Sequence, residues 1–264
     1  MHSKKELEIQ NAIYDLTMIV IGKLKINSLG FQKIYHDSIY INAFITRLKT
    51  GSTWKQLEYQ YKISDTHLNR IFNLWCDMNV FKDVFELFLK QYKCYIENDE
   101  AFIDSTILIN KFGYRDTTGI NTYEARKHRS NKLSCIVSKN GIPLGIKLTN
   151  SQVHDVKLLL DTLPKKTYFT TLIGDKGYIS KKLKAKLKRN RRINLITGYR
   201  KNQKEKQNID TKSRITIEHF NSLLKQNRGI NIRYDKNIEP YEGLIYLGCI
   251  YRGLQVVFKF LYDL

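Results

Sequence analysis

The sequence predicts an α/β protein: a mixed sheet with helices on both faces, preceded by a small all-α module. Three observations carry this. Helical periodicity gives way to short apolar strand runs near residue 100. The elements after that point follow the order β-β-β-α-β-α-β-α, which implies a sheet antiparallel at first and parallel later. The charge divides at the same place. Of a formal net charge of +20 over 264 residues, residues 1–100 hold 13 Lys and Arg against 12 Asp and Glu, and the remainder 32 against 13.

Residues 1–35 read as an N-terminal helical extension, helical from Lys5 to Lys25. Residues 36–98 read as a helix-turn-helix-like module. Its first helix, 38–50, is stopped by Gly51. Thr53 with Gln56 three residues on forms a capping box that starts a short helix to about Tyr61. Ser64 or Asp65 caps a third helix through Trp75, after a tight connection. In that helix Leu68, Ile71, Phe72 and Trp75 are spaced for burial, and Thr66, His67, Asn69, Arg70 and Asn73 face outward. A further helix covers Val80 to Tyr95, and the acidic 97–100 stretch marks the boundary.

From residue 99 to 264 a single domain is expected. Ala101–Ile109 is a strand with Asp104 inside it. Strands over Lys132–Ser138 and Leu144–Thr149 flank Asn140-Gly141, a strong hairpin turn. A helix over Asp155–Leu163 is followed by a short apolar strand that ends in Asp175 and a glycine turn. Ser180 caps a strongly basic helix to Asn190. A fifth strand covers Arg192–Thr197 and a polar loop 200–213. The last helix runs from Arg214 to Lys225. At 100° per residue Glu218 lies about 40° and Lys225 about 20° from Arg214, so one carboxylate and two cations share a stripe. Ile217, Phe220, Leu223 and Leu224 form the opposite, apolar face.

A charge this unbalanced costs self-repulsion and calls for a polyanionic partner. The sequence shows no apolar run of 18 or more residues and no long amphipathic helix with a basic face, so nucleic acid is expected and no membrane. The four cysteines (Cys76, Cys94, Cys135, Cys249) have no C-x-x-C spacing. That argues against zinc and a disulfide framework and fits an intracellular protein where host DNA lies. Between Lys181 and Lys206 stand 12 Lys and Arg against one acid, Glu205. Lys181, Lys182, Arg191 and Arg192 are candidate contacts to the DNA backbone.

Asp104, Asp175 and Glu218 sit where a mixed sheet of this order can bring them together. Converging carboxylates repel and raise one another's pKa unless a cation neutralises them. Mg²⁺ or Mn²⁺ suits all-oxygen ligands, and two such ions can activate a water or 3′-hydroxyl and stabilise the leaving oxygen of a phosphodiester. Taken singly, each Asp is an ordinary strand-edge or turn residue.

Asp104-Ser-Thr, Asp175-Lys-Gly-Tyr178 and the Glu218 helix with Arg214 and Lys225 resemble the catalytic blocks of DDE transposases. The likeness is to the insertion-sequence-five and Harbinger-like group of the insertion-sequence-four superfamily. Thr211 stands where that group has Tyr. Arg228-Gly229 and Arg233-Tyr-Asp-Lys236 resemble the group's continuation. Asn131-Lys-Leu-Ser, Gly141-Ile-Pro-Leu and His154-Asp155 are similar to its central region. Lys49-Thr-Gly51, Thr53-Trp54 and Leu57 are similar to its N-terminal module. The resemblance implies an RNase H-like catalytic fold, Mg²⁺ dependence and action on the terminal inverted repeats of a mobile element.

The expected function is therefore a transposase that cuts and joins element ends in double-stranded DNA, at terminal repeats and target. Asp104, Asp175 and Glu218 would hold two ions. Arg214 and Lys225 would bind phosphate or steady Glu218, and Asn69, Arg70 and Asn73 would help read the ends. Bringing two ends together makes a homodimer on DNA the default. The rival readings are a DNA-binding derivative without catalysis and a nuclease of the same fold that does not transfer strands.

Overall fold

The structure is a computed structural model that describes residues 2–24, 35–96, 99–120, 128–198 and 211–262. Its helices and strands, in chain order, are α1 (His2–Leu24), α2 (Asp37–Thr50), α3 (Trp54–Tyr61), α4 (Asp65–Asp77), α5 (Val80–Gln91), α6 (Lys93–Ile96), β1 (Glu100–Asn110), β2 (Gly119–Ile120), β3 (Arg129–Ser138), β4 (Pro143–Asn150), α7 (Asp155–Thr162), β5 (Thr171–Gly174), α8 (Lys181–Arg191), β6 (Asn194–Thr197), α9 (Thr211–Lys225), α10 (Arg228–Asn231), β7 (Ile232–Arg233) and α11 (Ile238–Tyr262). Two compact units result: Met1–Tyr92 with Lys111–Tyr114 and Leu224–Leu264, and Lys93–Asn110 with Arg115–Leu223.

In the helical unit the expected caps are in place. Thr53 and Gln56 make the reciprocal capping box of α3, and the Ser64 hydroxyl accepts from the His67 N–H to start α4. Gly51 closes α2 at φ 69°, a left-handed conformation that favours glycine. The core of this module is aromatic. Phe44 lies 4.9 Å from Phe72 and 5.5 Å from Trp75, ring centre to ring centre, and Phe72 lies 5.4 Å from Phe81. Aromatic pairs at such spacings add to plain area burial. The helix expected over Val80–Tyr95 breaks at Tyr92, so α5 and α6 are separate.

α11 packs on α1, α4 and α5. A Cβ on Gly248 would meet Ile230 Cδ1 at 2.5 Å, so glycine there permits the close approach. By length and composition α11 is apolar enough to cross a membrane, with a mean hydropathy of 1.4 over 18 residues, contrary to the expectation of no such run. Of that window 61% is buried inside the protein, as for a core helix. The structure thus divides the chain differently from the expected 1–35, 36–98 and 99–264. α1 is built into the helical unit, and residues 224–264 join it as well, because the apolar surface of α11 is covered there.

The second unit is a mixed α/β sheet. Its strands run in the order β2-β3-β1-β5-β6, with β4 also on β3. β1 pairs antiparallel with β3 and β3 with β4, while β1–β5 and β5–β6 are parallel. Gly141 turns the β3–β4 hairpin at φ 83°. α7 packs on β3 and β4, and α8 on β6. Leu172, Leu195, Leu133 and Ile136 are buried in the sheet. Of the expected polar loop 200–213, residues 200–210 lie outside the described residues and 211–213 already belong to α9; of the acidic stretch 97–100, residues 97 and 98 lie outside them.

Candidate active site

Asp104 occupies the fifth position of β1, opposite Cys135 of β3. On the other side of β1, Ile103 is opposite Gly174, the last residue of β5. Asp104 and Asp175 therefore take the next corresponding places on neighbouring parallel chains, whose axes are about 4.8 Å apart. The strand order of the sheet creates this pairing across 71 residues of sequence.

Asp175 is held by its own turn. Its Oδ1 accepts the Gly177 N–H at 2.8 Å and caps a 3₁₀ turn over Lys176–Tyr178. A Cβ on Gly177 would lie 2.9 Å from Asp175 Oδ1 and 3.2 Å from Asp155 Oδ2. Glycine leaves that space open, and the same geometry puts the Asp155 carboxylate next to Asp175. Asp155 Oδ1 in turn accepts from Lys132 Nζ at 3.1 Å, and Nζ also donates to Val153 O at 2.8 Å. Lys132 is buried, so a cation is fixed beside the second carboxylate of this wall.

Tyr178 is buried next to Asp104. Its hydroxyl lies 3.1 Å from Ser105 Oγ. Burial pushes the phenol well above the usual tyrosine range, and the Asp155 and Asp104 charges push the same way while the Ser105 hydrogen bond opposes them. Tyr178 therefore stays a neutral phenol at neutral pH.

The helix α9 packs through buried Ile217, Phe220 and Leu224 and leaves Glu218 exposed. One turn after Glu218, Asn221 is only 6% exposed. Its Nδ2 points at Asp104 Oδ2 at a long 3.5 Å, and its buried Oδ1 has no hydrogen-bond partner among the described residues. A buried acceptor without a donor costs about 1–3 kcal/mol, and such groups mark functional positions. Asn221 thus ties α9 to Asp104 and places Glu218 one turn away on the same helix. Among the described residues, however, no group of three or more His, Cys, Asp or Glu side chains stands close enough to hold a metal ion. Asp104 and Asp175 are brought together; Glu218 is carried by the helix that touches Asp104 and does not complete a cage with them. Carboxylates offer only oxygen donors, the kind a hard divalent cation takes.

The expected DNA contacts fall in several places. Lys181, Lys182 and Arg191 are exposed on α8, with Arg191 Nη1 donating to Lys165 O at 2.9 Å. Arg192 ends α8 at φ 57° and is exposed. Arg214 is helical, but its side chain lies outside the described residues, as does the basic loop up to Lys206. Lys225 is half-buried at the end of α9, where the chain passes into the helical unit. On α4, Arg70 is exposed, and Asn69 and Asn73 are half-buried and bonded to each other at 3.0 Å. His67 was expected to face outward. Instead it is half-buried at 2.7 Å from the Tyr40 hydroxyl, and burial with the Arg70 charge lowers its pKa.

Asn221 and the Lys132–Asp155 pair were not picked out from sequence as site residues. The signal for Asn221 is its position three residues after Glu218, one turn on, at the edge of the buried face. Lys132 and Asp155 lie in the Asn131-Lys-Leu-Ser and His154-Asp155 stretches noted from sequence, but only the packing of α7 on β3 joins them as a pair.

Residues 128–234 match the family model described as Transposase DDE domain, a segment that holds Asp175 and Glu218 but not Asp104. No curated protein matches the chain in sequence. Among solved structures, a piggyBac transposase synaptic complex with hairpin DNA is similar at 12% identity, covering 96% of this chain and 72% of that one, with a TM-score of 0.49. A Mos1 strand transfer complex is similar at 13% identity, covering 85% and 78%, with a TM-score of 0.25. A Mos1 mariner paired end complex with Mn is similar at 10% identity, covering 95% and 96%, with a TM-score of 0.26. These likenesses are distant. The family match over residues 128–234 supports a DDE transposase.

Proposed function

We propose that this chain is a DNA transposase of the insertion-sequence-five or Harbinger-like kind, which cleaves the ends of a mobile element and joins them to target DNA. The observation that carries the reading is the placing of Asp104 and Asp175 side by side on β1 and β5, with Asn221 of the Glu218 helix against Asp104. The family match on residues 128–234 supports it. Asp104, Asp175 and Glu218 would hold Mg²⁺ or Mn²⁺, which when bound supplies a polarised water or 3′-hydroxyl and stabilises the leaving oxygen.

The chain's own residues prepare the site for that chemistry. The Gly177 N–H fixes Asp175. Asn221 steadies Asp104 from the helix side. Lys132 neutralises Asp155, so this extra carboxylate does not repel Asp175 at full strength. Tyr178 stays protonated and braces Ser105 beside Asp104. Lys181, Lys182, Arg191 and Arg192 supply backbone contacts, which give affinity without sequence information. A homodimer holding two ends and an intracellular location where DNA lies complete the proposal.

The test uses a labelled duplex carrying the inverted repeat that flanks the coding region, with target DNA and Mg²⁺. A transposase cuts at the repeat end and yields joined product. A shift without cutting would leave only a DNA-binding protein, and cutting without joined product a nuclease.

A further inference from the structure

The helical unit contains a cavity of about 1000 Å³ that the catalytic reading does not use. Two amides of α4, Asn69 and Asn73, form part of its wall, and residues from the stretches 47–54, 111–114 and 228–244 form the rest. A helix that reads the major groove must stand proud of its surroundings, since the groove has to close around it. These two asparagines instead line a recess of about 1000 Å³, and side chains set back in a recess suit unpaired bases better than the edges of a closed duplex.

The chemistry of the walls agrees. Phe112, Tyr114 and Tyr234 are 63%, 54% and 47% exposed, and all three border the cavity. The Phe112 and Tyr234 rings are 5.8 Å apart. Large aromatic side chains clustered in the open indicate a partner. Two exposed cations, Arg228 and Lys236, stand on the same lining. Beneath them Arg47 is buried, bound to Asp235 at 2.8 Å and Ser52 O at 2.8 Å and stacked 4.3 Å over Trp54. Its buried Nε–H has no partner among the described residues, a donor left over at a wall of the cavity. Aromatic faces for bases, cations for phosphates and amides for base edges are the set that single-stranded nucleic acid requires.

We propose that this cleft binds unpaired nucleotides of the DNA strand being processed, by stacking on Phe112, Tyr114 and Tyr234. The proposal rests on DNA being the partner. The test measures fluorescence anisotropy of the full-length protein in EDTA, with a labelled blunt duplex and the same duplex bearing a short single-stranded 3′ overhang, at one salt concentration. The overhang duplex should bind more tightly. Tyr114→Ala with Tyr234→Ala should weaken overhang binding by about 5- to 100-fold and leave blunt binding unchanged, with Tyr234→Phe behaving as wild type. Circular dichroism melting confirms that the variants fold; if the double variant does not, Arg228→Gln with Lys236→Gln takes its place and should show the same selective loss. Equal wild-type affinity for the two DNAs, or equal loss on both in the variant, overturns the cleft proposal while leaving the transposase reading standing. Binding to neither DNA overturns both.

Discussion

Replacing Asn221 with Leu should make the protein more stable and less active. The change removes the buried Oδ1 that has no partner among the described residues, worth about 1–3 kcal/mol of desolvation. Leucine also improves the helix propensity of α9 by a few tenths of a kcal/mol. Against this stands the loss of the 3.5 Å contact to Asp104, which is long and therefore weak. The net is a gain of about 1 kcal/mol, or about 2–4 °C in Tm for a chain of this size. Strand cleavage should fall by about 10- to 100-fold, as when a partner of a metal ligand is lost. Asn221→Asp supplies a second readout. It sets two carboxylates together, which should lower Tm at pH 7 without metal, and added Mg²⁺ should recover that loss. Thermal melts of the sheet unit with and without Mg²⁺, beside cleavage rates, decide the matter. A Leu variant that melts lower than wild type, or cleaves as well, refutes the reasoning.

Asp104→Asn, Asp175→Asn and Glu218→Gln should each lower cleavage by at least about 100-fold and leave DNA binding largely intact, measured by gel shift beside a cleavage assay; one variant that cleaves normally removes its residue from the site. Neutralising Lys181, Lys182, Arg191 and Arg192 together should reduce the slope of log K against log salt by up to about 3.6 on random duplex; an unchanged slope places the DNA elsewhere. Asp235→Ala leaves the buried Arg47 without its carboxylate partner and should cost about 3–5 kcal/mol in denaturant unfolding. Burial depresses His67 in the fold, so its contribution is full above the unfolded value of about 6.5 and is lost as pH falls through the lower folded one. His67→Gln should therefore shrink the difference in Tm between pH 7.5 and pH 5, and an equal difference in both proteins would show that another group is responsible.

Local signals in the sequence were read well. The Thr53–Gln56 capping box, the Ser64 cap, the Gly51 stop and the Gly141 hairpin depend on backbone needs within a few residues, and each lies where periodicity and turn chemistry put it. The change of sheet direction also follows from element order. What stayed hidden depends on long-range packing. Nothing in residues 224–264 says that α11 covers α1, α4 and α5, since an apolar helix has no address. The half-burial of His67 depends on Tyr40 from another helix. In the site, Asp104 and Asp175 were legible as strand-borne acids, but the Asn221 contact and the Lys132–Asp155 pair exist only once α9 and α7 have docked.

The helical unit is made from both ends of the described chain, with Glu6 of α1 bonded to Tyr251 of α11. On the ribosome this has a cost in time. The sheet unit is fully synthesised at residue 223, yet α1 and α5 still lack the helix that covers them. At about 5–20 residues per second, residues 93–262 take roughly 10–30 s to emerge. Through that interval the apolar faces of α1 and α5 stand open, so nascent chains halted before residue 238 should be the ones that chaperones hold and proteases clear.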